Sequence, residues 1–306
     1  MTSCYLLVSG CCRFGCTTLR RGLTQALGAL GNMKARWFLG IATGLTAMYF
    51  GIGAYVLHFR LESLLLPHTV APNSPASPTL QSIGQNGKLL VRRYGEARLG
   101  CVMFFPGQHG NLQSYENSLF PSFTAQGIAV LAVAYPGQDG ALGAADFLSL
   151  ESLYTQAFSA ATAACQGRPV VLYGRSFGAM VASYSAANHQ AAGLILESAA
   201  PSLSTAVRVR LASHWYSAPL IALPISALLP REFSLAQALS RIQSTPTVCF
   251  QGSADRETPL LSLQNDPSLN GLRIFVVFGG THADTYVVAE SKIVEQAVSM
   301  LRQRRT

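Results

Sequence analysis

Residues 169–189 read PVVLYGRSFGAMVASYSAANH, and this stretch decides the fold. Its first residues are apolar and partly β-branched, as in a buried strand, and the part after Gly178 has the composition of a helix. Between them Ser176 lies in a Gly-x-Ser-x-Gly pattern with Gly174 and Gly178. A sharp strand-to-helix turn crowds the backbone, so it needs flanking glycines, and it lifts the serine hydroxyl clear of the sheet. The stretch therefore predicts a nucleophile elbow; an ordinary tight turn is the alternative.

Apolar runs of the same kind recur along the chain. Six of them are short, bounded by Gly or Pro and typical of buried strands: 101–105, 128–135, 169–174, 192–198, 246–252 and 273–280. Helix-length segments lie between them, among them 144–166, 177–190 and 286–301. This alternation predicts an α/β domain over residues 88–306, with a mostly parallel central sheet and helices on both faces. Because ligands bind beyond the carboxyl ends of such strands, the functional residues are expected there.

The formal charge excludes a nucleic-acid-binding domain. The chain has 306 residues and a net charge of +8. Residues 1–36 carry five basic and no acidic side chains, and the last five residues carry three basic ones. Residues 37–301 hold 14 basic and 14 acidic residues, so they are neutral as a whole. No basic stripe is therefore expected on the folded part of the chain.

Residues 37–59 form a run of 23 without Asp, Glu, Lys or Arg. A helix of this length spans roughly 34 Å, enough for the hydrocarbon core of a bilayer. Lys34 and Arg36 precede the run, which places the N-terminus in the cytoplasm and the rest of the chain on the far side, the periplasmic face in a bacterium. We expect a transmembrane signal anchor; a cleaved signal peptide and a buried core helix are the alternatives.

Two further segments flank this run. Residues 1–36 are expected to form a cytoplasmic N-terminal segment, and its cysteines are not spaced like metal ligands. Met33 lies directly before the apolar run and is a second candidate start, which would make residues 1–32 an upstream extension. Residues 60–87 contain four prolines among Ser, Asn and Gly, and are expected to form an extended linker.

Several motifs together resemble the serine α/β-hydrolase superfamily, and most of all its small membrane-anchored members whose first loop reads H-G-N-A-G-N. The resemblance covers roughly residues 88–300. Besides the elbow, the motifs in the family's order are Phe-Pro-Gly-Gln-His-Gly-Asn (105–111), Tyr-Pro-Gly (135–137), Gly-Ser-Ala-Asp (252–255) and Gly-Thr-His-Ala-Asp (280–284). The resemblance implies an α/β-hydrolase fold and hydrolysis through an acyl-enzyme.

A serine nucleophile needs a base within hydrogen-bond reach and a group that orients the base. Of the six histidines, His282 follows the last strand-like run, and Asp255 follows the run before it. The order Ser176, Asp255, His282 is the order used in this fold. Asp284, two residues beyond the histidine, and Glu197, at the end of another predicted strand, are the alternatives for the acid.

The family implies an oxyanion hole formed by two backbone N–H groups. In this chain they belong to Phe177, after the nucleophile, and to Gln108, in the first loop. The chain departs from the family here, because Pro106 and Gln108 replace the usual His and Asn. Ala134 and Pro136 likewise replace an Asp and an Arg around the tyrosine turn. We therefore expect that an outer-shell hydrogen-bond network which supports this loop in the family has been lost here.

Residues 199–245 occupy the place of a small cap and are rich in apolar side chains. Two interpretations stay open: an acyl-binding pocket or lid, and simple packing over the sheet. Three further cysteines fall in or beside predicted structure and are expected to be buried apolar residues without a disulfide: Cys101, Cys165 and Cys249. No metal or nucleotide motif occurs, so no cofactor is expected.

These observations predict a membrane-anchored serine hydrolase that cleaves an ester, thioester or lipid acyl bond through Ser176. A peptidase or amidase with the same three residues is one alternative. The other is a non-catalytic binding protein with a hydrolase fold.

Overall fold

The computed structural model describes residues 36–69, 79–83, 89–144 and 146–304. The chain divides into two compact units, Met1–Ala54 and Tyr55–Thr306. The expectations for residues 1–35 lie outside the described residues, as do residues 70–78 and 84–87 of the predicted linker. The described parts of that segment are not all extended linker, because residues 60–65 end a helix and Thr79–Ile83 form a strand of the sheet.

The described part of the second unit contains a sheet of eight strands in the order β1-β2-β4-β3-β5-β6-β7-β8. The strands are β1 (Thr79–Ile83), β2 (Leu89–Tyr94), β3 (Gly100–Phe105), β4 (Ile128–Ala134), β5 (Val170–Arg175), β6 (Gly193–Glu197), β7 (Thr247–Gly252) and β8 (Arg273–Val277). Strands β3 to β8 pair in parallel, whereas β2 is antiparallel to β4 and β1 is antiparallel to β2. The six predicted strands and the mostly parallel sheet are confirmed; β1 and β2 were not predicted.

The apolar runs form strands because the sheet is covered on both faces. Every residue of β3, β4 and β6 is buried, which explains why these segments are continuously apolar rather than alternating. One hydrophobic layer lies on each face of the sheet. The predicted α/β architecture with helices on both faces is therefore confirmed.

The helices supply these two layers. They are α1 (Arg36–Leu65), α2 (Gln113–Glu116), α3 (Leu119–Ala125), α4 (Leu150–Ala164), α5 (Phe177–Asn188), α6 (Leu203–Ala212), α7 (Ile225–Leu228), α8 (Leu235–Ser240), α9 (Leu260–Gln264), α10 (Thr285–Val288) and α11 (Glu290–Gln303). Helices α4 and α5 pack on one face of the sheet, with α8 packed against α5, and α3 and α11 pack on the other face.

Helix α1 has 30 residues, and an 18-residue stretch within it has a mean hydropathy of 1.4, so it is long and apolar enough to cross a membrane. Its described residues in the first unit are mostly exposed. Its last part belongs to the second unit, where Leu57 and Leu61 are buried in the core and His58 Nδ1 lies 3.0 Å from the main-chain oxygen of Leu228. The helix thus ends as a packed element of the α/β unit.

One prediction about the cysteines was wrong. Cys101, in β3, and Cys165, directly after α4, form a disulfide across a sequence separation of 64 residues. Cys249 is free and buried, as expected. The pairing arises because α4 packs against β3, so the end of the helix comes beside the start of the strand. Nothing in the local sequence indicates that approach.

Candidate active site

The elbow brings Ser176 to the carboxyl end of β5. Its φ of 54° and ψ of −118° are unusual for a residue other than glycine, as a strained nucleophile turn requires. A Cβ on Gly174 would overlap the main-chain oxygen of Gly178, and a Cβ on Gly178 would overlap that of Phe105. The flanking glycines are therefore needed for the close approach of three backbone segments.

Ser176, His282 and Asp255 are joined by hydrogen bonds. Ser176 Oγ lies 3.0 Å from His282 Nε2, and His282 Nδ1 lies 2.9 Å from Asp255 Oδ2. An ionised carboxylate only accepts hydrogen bonds, so Nδ1 carries the ring proton and Nε2 is left to accept from the serine hydroxyl. The three residues come from the ends of β5, β7 and β8, which meet at one edge of the parallel sheet.

Asp255 is held in one orientation by its neighbours. Its Oδ1 accepts hydrogen bonds from the backbone N–H groups of Glu257 and Thr258, and its Oδ2 accepts one from the hydroxyl of Thr258. Burial raises the pKa of this carboxyl, but the hydrogen bonds from His282 and Thr258 outweigh burial and hold the pKa below its usual value. The group therefore stays ionised beside the histidine.

The two alternative acids have other partners. Asp284 accepts hydrogen bonds from the backbone N–H and the hydroxyl of Thr281, in a turn before α10. Glu197 is fully buried and accepts a hydrogen bond from Tyr173 at 2.5 Å. The geometry thus favours Asp255 as the partner of the imidazole.

The loop after β3 is held by the turn that follows β4. The hydroxyl of Tyr135 donates to the main-chain oxygen of Pro106 at 3.1 Å, and Gln138 Nε2 donates to that of Gln108 at 2.6 Å. Asp139 accepts from the backbone N–H of Leu112 at 3.3 Å. The altered loop therefore has its own hydrogen-bond support, supplied partly by residues absent from the sequence prediction. Gln138 and Asp139 could have been found from the sequence by their position directly after Tyr-Pro-Gly (135–137).

Gln138 should affect rate more than folding. We expect Gln138→Leu to lower kcat by about 10–100-fold with little change in KM, because Gln108 then loses the bond to its main-chain oxygen, which holds the loop that carries the predicted oxyanion donor. Steady-state ester kinetics measure this effect. Gln156→Leu, on the exposed side of α4, is the matched control and should change neither constant. An unchanged kcat in folded Gln138→Leu would contradict this role.

Arg175 connects the elbow with the histidine loop. Its Nη2 donates to the main-chain oxygen of His282, and its Nε lies 3.4 Å from Glu197 Oε1. The guanidinium also lies 5.9 Å from the ring centre of Tyr286, at the start of α10. Burial raises the pKa of Glu197, and the charge of Arg175 opposes that effect. The arginine thus compensates a buried carboxylate while holding the backbone at His282.

Loss of Arg175 should therefore destabilise the fold. We expect Arg175→Met to lower the free energy of unfolding by about 3–5 kcal/mol, since it leaves Glu197 buried without its counter-charge. The double variant Arg175→Met/Glu197→Gln should recover most of that loss. Urea unfolding of both variants measures the difference. Equal destabilisation of the single and the double variant would exclude the ion pair as the cause.

A pocket of about 340 Å³ opens beside the serine hydroxyl. It is lined by Gly107, Gln108, His109, Gly110, Asn111, Ser114, Tyr115, Arg175, Ser176, Glu257, His282, Ala283 and Tyr286. All of these lie outside segment 199–245. Within that segment Ile225 and Phe233 are buried in the core, whereas Trp215 is 88% exposed. The cap thus contributes buried side chains to the core and none to this pocket.

The structure gives no sign of a metal centre in the part of the chain that it describes, where no group of three or more His, Cys, Asp or Glu is arranged to hold an ion.

Comparison with known structures finds the same fold in several enzymes. An esterase of Pyrococcus furiosus matches with a TM-score of 0.59 at 14% identity, over 78% of this chain and 96% of the other. A monoacylglycerol lipase of Paleococcus ferrophilus matches with a TM-score of 0.51 at 18% identity, over 69% and 99% of the two chains. An alpha-beta hydrolase of Vibrio vulnificus matches with a TM-score of 0.54 at 20% identity, over 70% and 82%.

Sequence comparison with curated proteins finds no match. The profile of the alpha/beta hydrolase family, in contrast, matches residues 102–302, about two thirds of the chain. That region runs from β3 to α11 and includes the elbow and the acid and histidine loops. The chain therefore belongs to the alpha/beta hydrolase family.

Proposed function

We propose that this protein is a membrane-anchored serine hydrolase that cleaves an ester, thioester or lipid acyl bond through an acyl-enzyme on Ser176. The observation that carries the proposal is the pair of hydrogen bonds from Ser176 to His282 and from His282 to Asp255, at 3.0 and 2.9 Å. The esterase and lipase among the similar structures agree with this class of reaction.

In the proposed reaction His282 Nε2 takes the proton of Ser176 as Oγ attacks the acyl carbon. The backbone N–H groups of Phe177 and Gln108 stabilise the negative charge that develops on the carbonyl oxygen. Phe177 is the first residue of α5, where the positive end of the helix dipole adds to this effect. His282 then returns the proton to the leaving alcohol or thiol. Water, activated by the same histidine, releases the acid from the serine.

The anchor in this proposal is residues 37–59 within α1. Two basic residues precede it and support an N-terminus on the cytoplasmic side. The hydrolase domain then lies on the far side of the membrane. The disulfide between Cys101 and Cys165 supports this placement, because disulfides persist mainly in oxidising compartments.

The argument for a non-catalytic protein is that the substitutions around Pro106 remove the hydrogen bonds that support the loop. The structure weakens that argument, because Tyr135 and Gln138 donate hydrogen bonds to the main-chain oxygens of Pro106 and Gln108. No observation favours the amidase alternative. The comparison of an ester with an anilide substrate, described next, tests it.

The proposal is tested with the full chain in detergent, using p-nitrophenyl acetate and acetyl-p-nitroanilide. Wild type should hydrolyse the ester, and His282→Ala should lose this activity, while His214→Ala, in the cap, should keep it. Ester turnover no faster in wild type than in His282→Ala would reject the proposed function. Comparable rates on the anilide would identify an amidase instead.

A further inference from the structure

In the proposed intermediate the acyl group is covalently attached to Oγ of Ser176, and the pocket of about 340 Å³ opens directly beside that atom. None of its thirteen lining residues is Val, Leu, Ile, Met or Phe. Tyr115 and Tyr286 supply its aromatic surface, with ring centres 4.7 Å apart. A pocket for a long alkyl chain would need a continuous apolar wall, and the residues that the structure describes here do not form one.

The loop after β3 lines one side of the pocket with polar side chains. Gln108 Nε2 lies 3.0 Å from His109 Nε2, and Asn111 Nδ2 donates to Ser114 Oγ at 2.7 Å. These contacts keep the amide and imidazole groups at the wall of the pocket. An acyl group with its own hydroxyl or amide can exchange hydrogen bonds with such a wall, whereas a methylene chain would only displace water from it.

The charges around the pocket disfavour an anionic acyl group. Arg175 is bound to the main-chain oxygen of His282 and paired with the buried Glu197. Glu257, in contrast, has a side chain that is 56% exposed, and its Oε2 lies 4.0 Å from His282 Nε2. Both side chains line the pocket, but the guanidinium is already paired with Glu197, whereas the carboxylate of Glu257 is exposed.

We infer that the natural acyl group is short, uncharged and polar, such as a hydroxyacyl or acylaminoacyl group, rather than a fatty acyl chain. This inference rests on the proposed function and narrows its substrate class. The apolar cap does not oppose it, because the pocket-lining residues all lie outside segment 199–245.

The inference is tested by kcat/KM of the full chain for p-nitrophenyl esters of a single leaving group, measured below their micellar concentrations. In an enzyme with an apolar acyl tunnel, kcat/KM rises about fourfold for each added methylene, or roughly 3,000-fold from acetyl to octanoyl. We expect no gain along this series. We also expect kcat/KM for the 3-hydroxybutyryl ester to exceed that for the butyryl ester by about tenfold or more. It should also exceed kcat/KM for the succinyl ester, once all rates are corrected for spontaneous hydrolysis. A rise above tenfold from acetyl to octanoyl, or equal rates for butyryl and 3-hydroxybutyryl, would overturn the inference.

A pair of variants tests the pocket wall itself. Ser114→Leu adds apolar surface to the pocket and should raise the octanoyl-to-acetyl ratio of kcat/KM several-fold. Ser226→Leu adds the same surface to an exposed position of the cap and should leave the ratio unchanged. A rise with Ser226→Leu alone would place the acyl group under the cap and refute the inference.

A fluorophosphonate probe distinguishes failure of this inference from failure of the proposed function. Labelling of Ser176 together with a preference for long chains rejects the inference and keeps the hydrolase. Absence of labelling in folded protein rejects the proposed function, and the inference with it.

Discussion

We expect Ser176→Ala to lower kcat for ester hydrolysis by a factor on the order of 10⁶, the effect of removing the nucleophile of a serine hydrolase. The reason is that Ser176 Oγ, 3.0 Å from His282 Nε2, is the attacking atom in the proposed reaction, and alanine has no atom in its place. What remains is the modest acceleration supplied by binding and by the oxyanion donors. KM should change little, since the hydroxyl contributes mainly in the transition state.

The measurement is steady-state hydrolysis of p-nitrophenyl acetate beside thermal unfolding of the same preparation. The control is Ser159→Ala, an exposed serine on α4 whose hydroxyl bonds only to the preceding turn, and it should retain full activity. A Ser176→Ala protein that keeps more than one per cent of wild-type kcat would contradict the assignment of the nucleophile.

Asp255→Asn should lower kcat by about 10⁴-fold without unfolding the protein. Oδ1 of Asp255 accepts two backbone hydrogen bonds, so the carbonyl oxygen of an asparagine would take that position and its NH₂ would face His282. The imidazole must then accept at Nδ1 and carry its proton on Nε2, where it can no longer receive the proton of Ser176.

Asp284→Asn is the matched control, since this carboxyl lies two residues from His282 but caps the turn at Thr281. We expect less than a threefold change in kcat for this variant. If Asp284→Asn were the more damaging of the two, the orienting acid would have to be reassigned.

Much of the fold could be predicted because a parallel sheet covered on both faces demands continuously apolar strands. Strand β2 escaped this reasoning, since Arg92 and Arg93 interrupt its apolar pattern. Arg92 is nevertheless buried, and its guanidinium donates to the main-chain oxygen of Asp139. A charged residue is acceptable in that strand only through a partner far away in sequence, which no local pattern reveals.

The candidate site could be predicted from the sequence for a related reason. The carboxyl ends of β5, β7 and β8 meet at one edge, so residues that follow separate strands converge there. The contacts that support the site could not be predicted in the same way. Gln138 reaches Gln108 across 30 residues, and Arg175 reaches the backbone of His282 across 107. Such contacts depend on how loops approach each other in three dimensions, not on periodicity.

The most direct test of the account is the intact mass of the full chain after reaction with a fluorophosphonate probe, beside Ser176→Ala and His282→Ala. The account predicts one adduct per wild-type chain, located by peptide mapping at Ser176, and none on either variant. A wild-type protein that is folded by circular dichroism yet takes up no probe, or one labelled at another serine, would contradict it.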